Sequence, residues 1–413
     1  MTGSRTSIAA LLLANGMSAM SLSTVAPVVP ELQRAFAGVP WSGPMTDMFL
    51  GATALFMAIA GPLTAPLARR IGCHWLLIAS LVLFAGSGAA AAVLTSLTAM
   101  IASRIVLGVA AAGVMTSSTT LLLDLTPEHE RNAMFGWQAA SWGFASVAGS
   151  VIGGVLADVA WRFAFLPYLV GLPIALMCWI SVERPPTNDG AGRHKAIDRN
   201  ETPAIAAYVL VAALNVLFSL MLLYVPSRLE AIGVSSHASD GLAVGVFLLT
   251  GAFSGLLFGA MKKHLSFTMV YVWNFSIGAL GTLLLCWSGS LVGVFSSLVV
   301  CALGWGLFLP NSTAMLMDRA GPEARVTIAG GLGAAIYLGQ FASPLLAGCL
   351  VRTVGVSWLF PGVATVLLAL TVAFVGAEHL RGRKSRVQAD PTTPQLLTDT
   401  VGESEATYRS RRR

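Results

Sequence analysis

Long unbroken apolar runs, separated by short clusters of charge, proline or glycine, dominate the chain. Twelve are read at 8–29, 44–67, 75–94, 98–123, 132–157, 163–182, 204–226, 240–261, 267–288, 291–316, 327–350 and 357–378. Each is close to the roughly 20 residues that an α-helix needs to cross a bilayer. The runs are continuous in Ala, Leu, Val and Ile and do not alternate with polar positions, which argues against membrane strands. The first run has the look of a secretory signal, but its length and the eleven runs behind it favour an uncleaved membrane helix. The expected fold class is an all-α membrane protein with twelve transmembrane helices.

Composition agrees. Hydrophobic residues make up 55% of the 413 positions and charged residues only 11%, against about 25% charged in soluble domains. So few charges leave the lipid bilayer as the solvent. The charges that exist are sorted. With the N-terminus inside, Arg5, Arg69, Arg70, Arg131, Arg184, Arg193, Lys195, Arg199, Lys262, Lys263, Arg319, Arg325 and the tail cations fall on the inner side. Only Arg34, Arg162, Arg228 and Arg352 fall outside, and Arg104 lies within a run. Both termini are therefore expected in the cytoplasm. The net charge of +6 reflects this bias, and because the cations are scattered over loops no nucleic-acid partner is expected. The five cysteines show no paired spacing, so free thiols are expected, with no disulfide, metal site or cofactor. All six histidines fall in loops or at span ends. Neither a phosphate-binding G-x-x-x-x-G-K-[ST] loop nor a G-x-S-x-G nucleophile elbow occurs, which weighs against an ATP-driven pump and against an enzyme.

The runs fall into two sets of six. The polar segment from Glu183 to Pro203, with Pro185, Pro186, Gly190 and Gly192, separates them. The expected organisation is a first six-helix bundle over 1–182, a cytoplasmic loop over 183–203, a second bundle over 204–380 and a disordered cytoplasmic tail over 381–413. The halves repeat. "VVPELQ" aligns with "YVPSRLE" (Pro30 on Pro226), "LLLDLTPEHER" with "MLMDRAGPEAR" (Pro127 on Pro322), and "AGSVIGG" with "ASPLLAG" (Gly149 on Pro344, Gly153 on Gly348). The offset is 195 or 196 residues each time. Both copies start on the same side, so the repeat is parallel, and such bundle pairs suit alternating access around a site between them.

At this point the motifs carry a resemblance. "PLARRIGCH" between the second and third runs, "RIVLG" in the fourth, "AGSVIGG" in the fifth, "WRFAFL" opening the sixth and "LGWGLFLPN" in the tenth resemble the major facilitator superfamily, most closely its twelve-span drug:proton antiporter branch. The likeness covers about residues 7–380. It implies two six-helix bundles in the major facilitator fold and a membrane transporter, and it does not identify a substrate. In that family the arginine of the fourth-span motif faces the central cavity and takes part in proton coupling, which carries over to Arg104 alone, since Leu107 stands where a polar residue is usual. The loop motif departs from the pattern, with Arg69 at the position of an aspartate that faces a helix N-terminus. A cation there repels the positive end of a helix dipole, which argues against that role for Arg69.

Arg104 is the central puzzle. A cation in the outer half of the membrane costs roughly 2.5–3.5 kcal/mol on insertion scales, so it should face water or an internal partner. Asp47, near the start of the second run, is the best carboxylate for proton coupling with Arg104. A carboxylate beside a guanidinium stays ionised, and one separated from it in an apolar site takes up a proton. The alternative is a wetted Asp47 at a helix start, with Arg104 on helix carbonyls or an anionic substrate. Arg69 and Arg70 are expected to pair with Asp124, Glu128 or Glu130, and Lys262 and Lys263 with Asp318 or Glu323, as gate elements at the inner face; the bland alternative is solvated topology signals. Ala145, Gly149 and Gly153 form a small-residue stripe for close helix packing, with Gly154 beside it, and the resemblance associates this motif with exporters. Asn15, Ser18, Gln138, Trp142, Tyr208, Asn215, Asn311, Tyr337 and Gln340 are the candidate substrate-binding residues within spans; the alternative for each is that it only satisfies a neighbouring backbone group.

These features predict a monomeric secondary transporter of the bacterial inner membrane, whose partners are a small-molecule substrate, protons and the bilayer. The leading expectation is proton-driven efflux of an amphipathic organic compound. The alternative is uptake of a small, anionic metabolite with Arg104 as the binding cation. One charge moved across 100 mV yields about 2.3 kcal/mol, enough for a gradient of roughly 50-fold.

Overall fold

The computed structural model describes residues 5–24, 32, 35–36, 42–182, 205–234, 237–318, 320–354 and 358–389. Every regular element among them is helical. In chain order the long helices are α1 (Arg5–Ser23), α2 (Ser42–Ile71), α3 (Cys73–Ala90), α4 (Leu97–Leu125) and α5 (Arg131–Val159). The first half closes with α6, a 3-10 lead-in (Trp161–Val170) running into Gly171–Ser181. The second half holds α7 (Ile205–Ala231), α8 (His237–Leu256, resuming over Phe258–Lys262), α9 (Phe267–Trp287), α10 (Leu291–Trp305, resuming over Phe308–Met317), α11 (Pro322–Val354) and α12 (Leu359–Ala389). Eleven helical segments among the described residues are long and apolar enough to cross a membrane. Helix α1, with 19 residues, takes its place beside them. In hydrocarbon each backbone N–H and C=O must be satisfied within its own segment, which is why these runs form helices.

The predicted spans and the observed helices agree to within a few residues except at three ends. Helix α1 begins before the predicted start and ends at Ser23, and 25–31 lies outside the described residues. Helices α11 and α12 run on past their predicted C-terminal ends, α12 as far as Ala389. The central segment 183–204 and the tail 390–413 lie outside the described residues.

Helices α1 to α6 pack among themselves, α1 chiefly on α5 and α4, α2 on α4, and α3 on α4 and α6. In the second half α9 packs on α10 and α12, α8 on α10, and α7 on α11. This is the pair of six-helix bundles. Two seams join them, α2 against α11 and α5 against α8. The internal repeat maps α2 onto α8 and α5 onto α11, so the two seams are copies of each other. The end of the molecule that carries the basic turns after α2, α4, α8 and α10 is called the basic end below.

Two arginines of the opposite end are absorbed by the fold. The Arg162 guanidinium donates to the carbonyls of Ala92 (3.3 Å) and Leu94 (2.6 Å) just past α3. Arg228 donates to those of Leu285 (3.0 Å), Cys286 (2.9 Å) and Ser288 (2.7 Å) at the end of α9, the counterpart of α3. The last carbonyls of a helix have no partners of their own and carry partial negative charge, so a cation there satisfies both needs.

Candidate functional site

A cavity of about 300 Å³ lies between the bundles. Trp142, Gly143, Ser146 and Ser150 of α5 line one wall. Asn215, Phe218 and Leu222 of α7, Phe247 and Gly251 of α8, Trp305 and Phe308 of α10, and Gln340 of α11 line the rest. The break in α10 shapes it. A Cβ on Gly306 would run into the backbone of Gly251, so α10 and α8 touch where the first segment of α10 ends. That places Trp305 and Phe308 edge to face at 6.0 Å, with Phe218 5.7 Å from Trp305 and 5.8 Å from Phe247. The described lining is aromatic surface with an amide on each of α7 and α11 and hydroxyls on α5, and it includes no charged side chain.

A buried polar layer separates the cavity from the basic end. The Asn15 amide donates to Ser118 Oγ (3.0 Å) and Thr119 Oγ1 (3.3 Å), and Gln138 Nε2 donates to the same Thr119 oxygen (2.6 Å). One turn along α5, Trp142 Nε1 donates to Ser18 Oγ (2.8 Å), and that hydroxyl donates to the Asn15 carbonyl (2.6 Å). Tyr337 is fully buried against Trp142, with ring centroids 6.1 Å apart. Its hydroxyl is buried and has no hydrogen-bond partner among the described residues.

Beyond this layer the bundles are shut. Arg325 at the start of α11 donates to Asp124 at the end of α4 across the halves, at 2.5 Å. Both seams close on glycines. A Cβ on Gly61 of α2 would stand 2.5 Å from the Gly330 carbonyl oxygen of α11, and a Cβ on Gly136 of α5 would stand 2.5 Å from that of Gly255 of α8. Gly61 and Gly255 are 194 residues apart, as are Gly136 and Gly330, so the two crossings are copies under the repeat.

The predicted residues divide. Trp142, Asn215 and Gln340 line the cavity. Asn15, Ser18 and Gln138 belong to the polar layer, and Tyr337 lies behind Trp142. Tyr208 faces elsewhere: its ring packs on Gly331 in an apolar groove between α2, α7 and α11, seven residues along from Asn215 but off the cavity. Asn311 donates to the Phe267 carbonyl (3.1 Å) and ties α10 to α9, so a backbone acceptor claims its amide. Gly153 abuts Thr24 and Gly16 abuts Ala145, which brings α5 onto α1. Gly149 is buried and Gly154 half-buried on the same helix.

The expected gate pairings are corrected. Arg69 and Arg70 are exposed and have no carboxylate partner among the described residues, because Asp124 is taken by Arg325. Lys262 donates to the Leu265 carbonyl (3.3 Å) and lies 3.8 Å over the Phe267 ring, while Lys263 and Asp318 are exposed without an ion pair among the described residues. The Glu323 side chain lies outside the described residues.

Arg104 does not face the cavity. It is 1% exposed, within the first bundle. Its guanidinium lies 4.8, 4.9 and 5.2 Å from the ring centres of Phe49, Phe165 and Tyr168, and it donates to the Tyr168 hydroxyl (3.1 Å). That hydroxyl donates in turn to the Ser21 carbonyl of α1 (3.0 Å). The side chain thus ties α2, α4, α6 and α1 together. The Asp47 side chain lies outside the described residues, so the expected Asp47–Arg104 pair does too.

Sequence reasoning missed the α8 wall, Phe218, Phe308, Tyr168 and Arg325. Apolar and aromatic residues in an apolar helix carry no mark of which face they show. Arg325 was legible only as the repeat of Arg131, at the end of "MLMDRAGPEAR".

Known proteins can now be set beside this geometry. The family model for the Major Facilitator Superfamily matches residues 11–344 and, in a second match, 235–402. The chain is similar to the class E tetracycline resistance protein of Escherichia coli, 28% identical over 83% of this chain and 87% of the relative. It is also similar to the quinolone resistance protein NorA of Staphylococcus aureus (strain MSSA476), 23% identical over 85% and 92%. Among solved structures, the human organic anion transporter MFSD10 (TETRAN) superposes with a TM-score of 0.75 at 16% identity, over 90% of this chain and 99% of that one. The proton:xylose symporter XylE, bound to 6-bromo-6-deoxy-D-glucose, does so with 0.77 at 13%, over 89% and 94%. These two likenesses speak for the fold alone.

Proposed function

Because the chain belongs to the major facilitator superfamily, we propose that it exports an amphipathic organic compound by alternating access, driven by protons. The observation that carries this reading is the cavity between the bundles, aromatic with a few hydrogen-bonding groups, shut at the basic end by the glycine crossings and Asp124–Arg325. Ligand sites are commonly apolar clefts with a few placed polar groups. The resistance functions named for the two curated relatives support efflux of an organic compound here. The sorting of basic residues supports a cytoplasmic basic end with both termini inside, in an inner membrane. In that orientation the described conformation is closed toward the cytoplasm. The protein acts as a monomer, since each chain carries both walls of the cavity.

No carboxylate lines the cavity among the described residues. Asp47, Arg104 and the Asp124–Arg325 pair are the groups through which the driving proton would act. The uptake reading needs Arg104 to meet an anion, and its enclosure under three rings gives that reading no support.

The test is accumulation of fluorescent amphipathic compounds in cells expressing the chain, with and without an uncoupler. Export predicts low accumulation that rises on uncoupling. Accumulation that falls on uncoupling means import, and indifference to the uncoupler means that protons are not the driver.

A further inference from the structure

We infer that the molecule carried through this cavity is uncharged: a small aromatic compound bearing neutral hydrogen-bonding groups. The inference rests on the transport reading above and narrows it to a substrate class.

The cavity holds two neutral amides, Asn215 and Gln340, on helices of the same bundle. Asn215 accepts only a long bond from Ser219 (3.4 Å), and Gln340 has no hydrogen-bond partner among the described residues, so both retain capacity for a guest. An amide offers donor and acceptor together and suits a carbonyl, amide or hydroxyl group. The remaining walls carry rings, Trp142 on one bundle and Phe218 and Trp305 on the other, with the Ser146 and Ser150 hydroxyls and aliphatic side chains between them. The volume of about 300 Å³ is at the small end for ligand pockets, which run from about 300 to 1,000 Å³.

Among the described residues, charge is absent from the cavity lining and from the polar layer between the cavity and the basic end. The layer between cavity and basic end is built from Asn15, Ser18, Ser118, Thr119 and Gln138. The first ions met in that direction are Asp124 and Arg325, paired across the halves, with Arg131 close enough to Asp124 to share its charge. Arg104 is sealed from the cavity by its own rings. An ion leaving water for the cavity finds no counter-charge on its described lining to offset its desolvation, whereas a neutral guest gives up only hydrogen bonds that the amides and hydroxyls can replace. The one competing attraction is that of the aromatic faces for a cation. The test must therefore include one.

Three isosteric probes separate these cases at pH 7: 2-(2-naphthyl)acetamide, 2-naphthylacetate and 2-(2-naphthyl)ethylammonium. Each is measured by equilibrium dialysis against the full chain in nanodiscs. The neutral amide should bind at least ten-fold tighter than either ion. In Gln340→Glu, which places a carboxylate on the lining, the order of amide and ammonium should reverse, with the same melting temperature as wild type. Trp142→Leu should lose the amide at least ten-fold and marks the cavity as the site. An ion that binds wild type as tightly as the amide overturns the inference; if Trp142→Leu abolishes that binding, the cavity remains the substrate site and only the class is wrong. Retention of none of the three probes removes the cavity as a binding site, and this inference falls with it.

Discussion

A guanidinium held under three aromatic rings inside a lipid-embedded bundle answers at the residue scale why Arg104 is tolerated. Its charge faces the rings and its Nη1 donates to the Tyr168 hydroxyl, while Nε and Nη2 have no hydrogen-bond partner among the described residues; a desolvated cation–ring contact contributes about 2 kcal/mol. Arg104→Ala empties this box while leaving the apolar length of α4 unchanged. The expected outcome is abolished transport with normal membrane insertion, read by efflux assay and by protein recovered in the membrane fraction. Unchanged transport would remove Arg104 from the mechanism. Tyr168→Phe keeps the ring and deletes only the hydroxyl bridge to Ser21. A hydrogen bond to a charged group contributes about 1.5–3 kcal/mol, so its unfolding midpoint should fall by several degrees, with partial loss of transport. Legibility at this scale followed chemistry. Trp142, Asn215 and Gln340 stood out as polar or amphipathic residues in apolar runs, and they line the cavity. Asn311 stood out equally and proved to serve a backbone carbonyl, because a lone polar residue in a span records a need for a partner without naming which one. Tyr168 was invisible as Arg104's partner, since a tyrosine in an apolar run reads as packing.

At the scale of helices, the apolar runs found all twelve elements because no other residues can stand in lipid, and the breaks inside α8 and α10 were not visible because glycine and leucine continue the run. The positions that matter for motion are the glycines at the two seams. Gly61 on Gly330 and Gly136 on Gly255 let backbones touch, and any side chain there must push the helices apart. The repeat made these positions findable, but only once it was known that α2 meets α11 and α5 meets α8. Gly136→Leu should hold the basic end open. Two measurements check it: efflux should fall at least ten-fold at normal expression, and a cysteine introduced by Ser117→Cys, at a fully buried position of α4, should gain at least ten-fold in labelling by an impermeant maleimide added from the cytoplasmic side. A labelling rate equal to that of the Ser117→Cys parent would show that the α5–α8 crossing does not control the gate.

For the whole molecule, the repeat is nearly symmetric and its lock is not. Asp124 and Asp318 are copies 194 residues apart, and so are Arg131 and Arg325. Symmetry therefore offers two bridges across the halves, Asp124 to Arg325 and Asp318 to Arg131. The structure makes the first, at 2.5 Å, and leaves Asp318 exposed. Both loop motifs were read from the sequence, yet each aspartate was assigned a partner in its own half, because sequence proximity stood in for a contact that only the packing of α4 on α11 creates. With the Asp124 side chain 40% exposed, the bridge contributes at most about 1 kcal/mol, which shifts an open–closed ratio by about five-fold. That is enough to tune a gate and too little to weld it. Arg325→Asp alone places two carboxylates in contact and should favour the open basic end, raising cytoplasmic labelling of a Ser117→Cys reporter about five-fold or more. Asp124→Arg alone crowds Asp124's position against Arg325 and should do the same. The double variant Asp124→Arg/Arg325→Asp restores opposite charges at one place, and its labelling should return to within two-fold of the reporter parent. If the double variant is as open as either single one, the pair does not act as a bridge, and closure of the basic end rests on the glycine seams alone.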